Sequence, residues 1–354
     1  MSNLKEKIRI YASDSIVFSS LLGFMYGMAG LVRRRRGSID HIKSTLSMAQ
    51  KSATIMGRPI NITIEPTNIC NLKCPVCETG AGVLGRERRT MTMDQFKKII
   101  QKIGRHTNTI MFYFMGEPFL NKHAYKMIRY AKDSDIPFVD SCTNGEFIQP
   151  DRLIDSGLDR VSFQICGMTQ DTHQIYRVNG DLARTINNLK ETLRLKRERS
   201  SSIRIETGFI VMKHNEHEID EYKRYMSELG VKRASVIAPC VRTIDQGKEL
   251  LPANREFWVY DEVAFLQGSL RPRVLPNNFC SWIYYSIAIH VNGDIVPCCR
   301  DPYGKEIMGN IFDQSLDEIW NGKRYRNFRT RIHNNQKSVG ICRLCSSYPP
   351  SAIH

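Results

Sequence analysis

The 354 residues are 42% hydrophobic and 25% charged. That composition excludes a disordered or fibrous chain and suits one large α/β domain with a small appendage, or two modest domains. Eleven cysteines in so long a chain exclude a disulfide scaffold, and most fall in tight groups, the mark of metal or cluster ligation. The net charge of +15 is uneven, with +7 carried by residues 1–59, and no basic stretch is interleaved with aromatics, so no nucleic acid is expected.

Residues 1–59 read as a basic, apolar N-terminal extension. Ile16 to Val32 is a 17-residue run without a charge, followed directly by Arg33, Arg34, Arg35 and Arg36. A cleaved signal would carry its charges before the apolar run, so cleavage is not expected. Gly23, Gly27 and Gly30 fall on roughly one helical face, as in packed membrane helices. Two readings stay open. One is membrane association through residues 10–36, spanning the bilayer or lying in its interface, with the Arg cluster on the cytoplasmic side. The other is a helix docked on the protein itself.

From 60 to 240 the pattern alternates. Strands are expected at 60–64, 109–115, 136–141, 160–166, 203–212 and 233–238. Helices are expected at 93–103 with Thr92 as N-cap, at 122–131, at 150–156, from the fourth strand to about 199, and at 216–229. Such alternation means βαβ units and a parallel sheet, with active residues at the C-terminal strand ends. Residues 241–279 show no clean period and form a bridging region. In 280–354, Tyr284 to Val291 and Asp294 to Pro297 flank Asn292-Gly293, a β-hairpin signal, and helical residues follow near 315–332.

Just past the first strand comes Cys70-x3-Cys74-x2-Cys77. Three thiolates on one short loop can hold three irons of a cubane [4Fe–4S] cluster and leave the fourth iron open. A closed structural zinc site needs four ligands, and no fourth Cys or His follows within reach in sequence.

At this loop, flanked by Asn68 and by Asn71-Leu72, the sequence resembles the radical SAM (S-adenosylmethionine) superfamily, with Val76 where an aromatic is common. Met115-Gly116-Glu117-Pro118 after the second strand strengthens the likeness. The resemblance implies that Cys70, Cys74 and Cys77 hold the SAM-cleaving cluster and that Gly116, Glu117 and Pro118 meet the SAM amino group. Thr143-Asn144-Gly145 follows the third strand as in relatives. The segment from Arg160 to Arg177 resembles the family's fourth-strand element, which makes Ser162, Gln164 and Arg177 further SAM contacts, although Cys166 stands where an Asp is usual. The likeness covers 60–240 and implies an α/β fold, a partial (β/α)6 barrel. It also implies a 5′-deoxyadenosyl radical that abstracts a substrate hydrogen, and a reductant such as flavodoxin or ferredoxin.

A second constellation is Cys280-x12-Gly293-x4-Cys298 with Cys342-x2-Cys345. On spacing alone it fits a fully ligated [4Fe–4S] cluster or a four-cysteine zinc ribbon. Behind a radical SAM core it resembles the SPASM/twitch appendage, which implies an auxiliary [4Fe–4S] cluster on these four cysteines. No cysteine follows Cys345, as in the shorter twitch form. Cys299 is expected to serve packing, as are Trp282, Tyr284 and Tyr285. Cys142, Cys166 and Cys240 lie near strand ends, where a thiol can return a hydrogen atom to a substrate radical; for Glu206 a structural ion pair is expected, with a place inside the barrel, binding SAM or substrate, as the alternative.

The expected activity is a radical SAM oxidation or dehydrogenation with the auxiliary cluster as electron acceptor. Modification of a peptide or a lipid, or epimerisation with a Cys hydrogen donor, stands as the alternative. The expected location is cytoplasmic, at the inner membrane face if the N-terminal stretch binds lipid.

Overall fold

The computed structural model describes residues 15–33, 35–275 and 277–345. Residues 10–14 and Arg34, part of the stretch expected to meet a membrane, lie outside these, as do the residues after Cys345. The chain opens with two helices, α1 (Ile16–Val32) and α2 (Ser38–Ala49). The alternating part runs β1 (Asn61–Ile64), α3 (Met93–Ile103), β2 (Thr109–Met111), α4 (Ala124–Asp133), β3 (Phe138–Thr143) and α5 (Pro150–Asp155). It continues through β4 (Arg160–Ile165), α6 (Gln170–Tyr176), α7 (Leu182–Glu198), β5 (Arg204–Ile210), α8 (Ile219–Glu228) and β6 (Ala234–Ile237). Then come α9 (Ile244–Leu250), α10 (Glu262–Leu266), α11 (Trp282–Tyr285), β7 (Ser286–Ile289), β8 (Asp294–Val296), β9 (Gly309–Asn310), α12 (Leu316–Trp320) and α13 (Lys323–Asn335).

The nine strands of the described residues form one sheet in the order β6-β5-β4-β3-β2-β1-β7-β8-β9. β1 to β6 are parallel to their neighbours, the architecture of a partial radical SAM barrel. The C-terminal segment does not build a sheet of its own. β7 pairs parallel to β1, Ile62 opposite Ile287, and so extends the barrel sheet.

The expected hairpin forms between β7 and β8, with Ile289 opposite Ile295. Its turn differs from the two-residue Asn-Gly type. The Gly293 amide donates to the His290 carbonyl at 2.8 Å, so Val291 and Asn292 are the turn centre and Gly293, at φ +90°, is the bulge residue. The strand begins only at Ser286 because Trp282–Tyr285 forms a helical turn. β2 ends at Met111, short of the expected Met115, because the chain must swing into the Gly116 turn at φ +80°. Helix α3 starts where expected, with a full capping box between Thr92 and Gln95.

Each strand has one apolar and one more polar face. Ile62, Ile64, Ile110, Phe112, Val139, Val161, Phe163, Ile165, Phe209, Ile287 and Ile289 are buried with the helices in the main core. The alternate residues, among them Thr63, Asp140, Cys142, Ser162, Gln164 and Glu206, share the other face by the register of β1 to β5. A parallel sheet covered on both faces reads as continuous apolar runs. The alternation here leaves a barrel interior lined by polar groups, which is where a substrate can be held.

Residues 241–279 show no period because their elements are three to seven residues long. They fold over the first cysteine loop. Leu72, Cys74 and Val76 form a second apolar cluster with Val241, Leu250, Trp258, Tyr260 and Phe265.

Candidate functional site

The first cysteine loop leaves the C-terminal end of β1 and is stitched down on every side. The Asn68 carboxamide spans to the backbone of Glu87 and Arg89. The Lys73 amide donates to the Val178 carbonyl at 3.0 Å, and Arg242 donates to the Pro75 carbonyl at 3.0 Å. The amide of Asn71 donates to Glu146 at 2.8 Å while its carbonyl oxygen accepts from Asn144 at 2.8 Å. Cys70, Cys74 and Cys77 lie within electrostatic reach of one another, so the structure brings this set together.

Gly116 places the next loop against this one. A Cβ there would stand 2.6 Å from the Thr67 carbonyl oxygen and 2.7 Å from that of Ile69. Glu117, buried at the end of β2, reaches across to β3. Its oxygens accept from the Thr143 hydroxyl (2.8 Å), the Asn144 amide (2.8 Å) and the Phe119 amide (3.3 Å). Burial pushes its carboxyl up to about 7 against the pull of these donors. An ionised carboxylate has about four acceptor sites, so one more donor can still be taken. Pro118 opens a short 3₁₀ turn behind it.

Ser162 and Gln164 share the inner face of β4, with the Gln164 amide donating to the Ser162 hydroxyl at 2.8 Å. Gly208 on β5 makes the room, since a Cβ there would meet the Gln164 carboxamide at 2.7 Å. Arg177, just past α6, turns toward the cysteine loop, its Nη1 reaching Cys74 Sγ at 3.6 Å. Its Nε is buried without a partner among the described residues. The Cys166 thiol lies within reach of the same guanidinium.

Deeper on the inner face, Asp140 and Arg160 form a buried ion pair. Glu206 lies opposite Ser162 in register and 3.8 Å from Arg233. Tyr113, which sequence reasoning passed over, lies within electrostatic reach of Asp140 and Cys142 and also of Cys299.

The second set is gathered from three segments. Cys280 precedes α11, Cys298 follows β8, and Cys342 and Cys345 lie after α13. Cys298 and Cys342 each lie within electrostatic reach of Cys280, and Cys345 within reach of both Cys280 and Cys342. Backbone amides already point at the sulfurs, those of Trp282 and Ile283 at Cys280 and that of Arg300 at Cys298, the last at 3.4 Å. Cys299 is not in the core as expected. It is exposed, within electrostatic reach of Cys280, Cys298 and Cys345 of the second set and also of Cys240 and Arg300.

The donor chemistry of both sets fits iron–sulfur clusters. No cysteine is in a disulfide among the described residues. Burial pushes the Cys70, Cys280 and Cys342 thiols up to about 12, so only a bound cation makes their thiolates stable at neutral pH. Buried donors without partners, Arg177 Nε beside Cys74 and the Tyr325 hydroxyl within reach of Cys280 and Cys298, suit an anionic cage. Among the described residues no three His, Cys, Asp or Glu close around a single-ion site.

A joint that sequence reasoning missed ties the two sets together. Glu65, fully buried at the end of β1, accepts from both Nη atoms of Arg86 at 2.7 and 2.8 Å. It also accepts from the Met115 amide (3.3 Å) and the Val291 amide (2.9 Å), while Arg86 Nε reaches the Pro302 carbonyl at 2.6 Å. A carboxylate closing an apolar strand was the one signal that marked it.

Comparison with known proteins agrees with this arrangement. A family model described as the radical SAM superfamily matches residues 64–226, and one described as the SPASM iron–sulfur cluster-binding domain matches 280–346. The mycofactocin maturase MftC of Mycobacterium ulcerans is 25% identical over 82% of this chain and 81% of its own. The AdoMet-dependent heme synthase of Nitratidesulfovibrio vulgaris is 24% identical over 80% of this chain and 84% of its own. Among solved structures, Streptococcus suis SuiB bound to its precursor peptide SuiA shares the fold, with a TM-score of 0.58 at 15% identity over 83% of this chain and 71% of that one.

Proposed function

This chain belongs to the radical SAM superfamily and carries a SPASM domain, and from that premise we propose that it oxidises a peptide substrate at a carbon–hydrogen bond, with the auxiliary cluster as electron acceptor. The observation that carries the reading is the joint between the two cysteine regions: Glu65, at the end of β1, accepts both from the Met115 amide beside the Gly116 loop and from the Val291 amide of the β7–β8 turn, which fixes the second set against the barrel. When bound, SAM with its cluster supplies the radical that removes a hydrogen atom, and the auxiliary cluster takes up the second electron.

The chain's own residues do the rest. Cys70, Cys74 and Cys77 hold the first cluster and Cys280, Cys298, Cys342 and Cys345 the second. The loop of Gly116, Glu117 and Pro118 receives the SAM ammonium, and Ser162, Gln164 and Arg177 orient the remainder. Asp140 is committed to Arg160, and the Glu206 carboxylate, held more loosely at 3.8 Å from Arg233, takes the substrate proton. The substrate then loses one hydrogen atom, one electron and one proton, a two-electron oxidation. A flavodoxin or ferredoxin supplies the initiating electron in the cytoplasm. Kinship with a maturase and the fold shared with peptide-bound SuiB support a peptide substrate.

The test is iron content and 5′-deoxyadenosine release after anaerobic reconstitution. Cys70/Cys74/Cys77→Ala should drop iron from about eight to about four per chain and abolish SAM cleavage. Cys342/Cys345→Ala should also lose about four irons yet keep SAM cleavage, while substrate oxidation stops. Equal loss of SAM cleavage in both variants, or zinc in the second set, defeats the reading.

A further inference from the structure

Helix α1 has no charged residue, and its only buried residues are three glycines. These glycines are committed to the protein. A Cβ at Gly27 would stand 2.5 Å from the Ile42 side chain, and one at Gly30 would stand 2.5 Å from the Ser38 hydroxyl, both on α2. A Cβ at Gly23 would stand 2.8 Å from both the Thr45 and Tyr285 hydroxyls, which bond each other at 2.9 Å. The helix therefore lies along α2 from Gly23 to Gly30.

The face opposite the glycines is open. Leu21, Phe24, Met25, Met28 and Val32 are exposed, Val32 by 83%, and Leu46 of α2 is exposed as well. Contiguous apolar surface of this kind on a soluble protein marks an interaction site. The chain supplies the charge beside it. Arg33 and Arg35 are exposed at the end of α1 and make no ion pair among the described residues, and Lys43 is exposed on α2 between Ile39 and Leu46. Apolar bulk flanked by free cations complements an anionic lipid surface.

The mode of contact follows from length and packing. Seventeen residues make a helix of about 25 Å, short of the hydrocarbon core of about 30 Å. No helix among the described residues is long and apolar enough to cross a membrane. A helix pinned to α2 by its glycine face lies flat.

The position of this hairpin sets the orientation of the enzyme. Gly37, between α1 and α2, packs on the His106 carbonyl, Asn108 and Ile60. Ile60 and Asn108 stand just before β1 and β2, and Tyr285 just before β7. The hairpin thus sits at the N-terminal strand ends. Cys70, Glu117 and Asn144 follow the C-terminal ends of β1, β2 and β3.

We propose that the outer face of α1, with Arg33 and Arg35, docks the enzyme on an anionic bilayer with the barrel mouth turned toward the aqueous phase. Substrate then arrives from water, and a lipid drawn up from the docked bilayer is not the substrate. This stands apart from the reaction assigned above, because it concerns the opposite end of the barrel.

The test is co-sedimentation of the full-length, cluster-loaded enzyme with phosphatidylcholine vesicles with and without phosphatidylglycerol. Binding should require the anionic lipid, disappear in Phe24→Glu/Met28→Glu, and weaken at least tenfold in Arg33→Gln/Arg35→Gln. Both variants should cleave SAM at the wild-type rate in solution, which shows that they fold. Vesicle-bound wild type should also cleave SAM at its solution rate. Failure to bind, or equal binding to neutral vesicles, overturns the docking. So does a concentration-dependent dimer abolished by Phe24→Glu, which would assign the face to a second copy. Loss of SAM cleavage on vesicles overturns the orientation.

Discussion

The two cysteine sets reach the same end by opposite routes. Cys70, Cys74 and Cys77 sit on one loop of eight residues, so their proximity is written into the chain before any folding. The other four come from three segments up to 65 residues apart, and only the β7–β8 hairpin and the helices after it bring them together. The local set still depends on the fold for its surroundings: Asn71 is fixed by Asn144 and Glu146, and Cys74 by Arg177. The dispersed set depends on it for the ligands themselves. A lesion in packing should therefore cost the second set its iron, and the first set its fit to SAM.

The sharpest way to break this contrast is at Glu65 and Arg86, which serve both regions. Removing one partner of a buried ion pair costs about 3–5 kcal/mol, because the other charge is left without compensation. Arg86→Met should lower the unfolding free energy by that amount and weaken both sets together. Glu65→Leu/Arg86→Met, with neither charge left buried, should recover much of the loss. Chemical denaturation of the loaded protein, followed by cluster absorbance, measures it. If Arg86→Met spares the first set, the joint is not shared.

A pair of glycine substitutions separates the regions. Gly116 at φ +80° lies against the Thr67 and Ile69 carbonyls, and Gly293 at φ +90° lies against Phe312. A side chain at such a position stores about 1–3 kcal/mol of strain. Gly116→Ala should weaken SAM binding about tenfold or more and leave the second cluster's electron paramagnetic resonance signal intact. Gly293→Ala should lower iron retention in the second set and leave SAM cleavage within a few-fold of wild type. Reversed outcomes would mean that the turns do not govern the sites nearest to them.

The same division explains what could be read from the sequence. The barrel strands, the N-cap at Thr92 and the first cysteine loop are local patterns, and the structure keeps them. The parallel joint of β7 to β1 could not be read, since pairing between strands more than 200 residues apart leaves no periodic mark. Tyr113 could not be singled out because the pattern of 109–115 reads as one strand, whereas β2 ends at Met111 and leaves Tyr113 in the loop beyond it. The exposure of Cys299 could not be read, since adjacency to Cys298 in sequence does not say which way its side chain turns. The glycine stripe of α1 was ambiguous in sequence between a partner helix in lipid and a partner helix in the protein. The contacts with α2 assign it to the protein and free the opposite face.

The smallest effect concerns pH and touches only the first region. Burial raises the Glu117 carboxyl to about 7, above its ordinary value of 4.5. A raised carboxyl binds its proton more tightly in the folded than in the unfolded chain. The SAM-free protein should therefore lose stability as pH rises between about 4.5 and 7, where only the folded form keeps the proton. SAM should do the reverse. Its ammonium needs the ionised carboxylate, so affinity should fall by up to about tenfold for each pH unit below about 7. Calorimetric titration of SAM at about pH 6 and pH 8 checks this. Glu117→Gln should bind more weakly at pH 8 and show a flattened pH dependence. Neither the second cluster's iron content nor its redox midpoint should follow the same curve, because Glu117 lies in the loop that serves the first set alone. An affinity that ignores pH in the wild type would mean that the three donors from Thr143, Asn144 and Phe119 keep Glu117 ionised throughout, and that the ammonium is held by backbone carbonyls of the Gly116 turn instead.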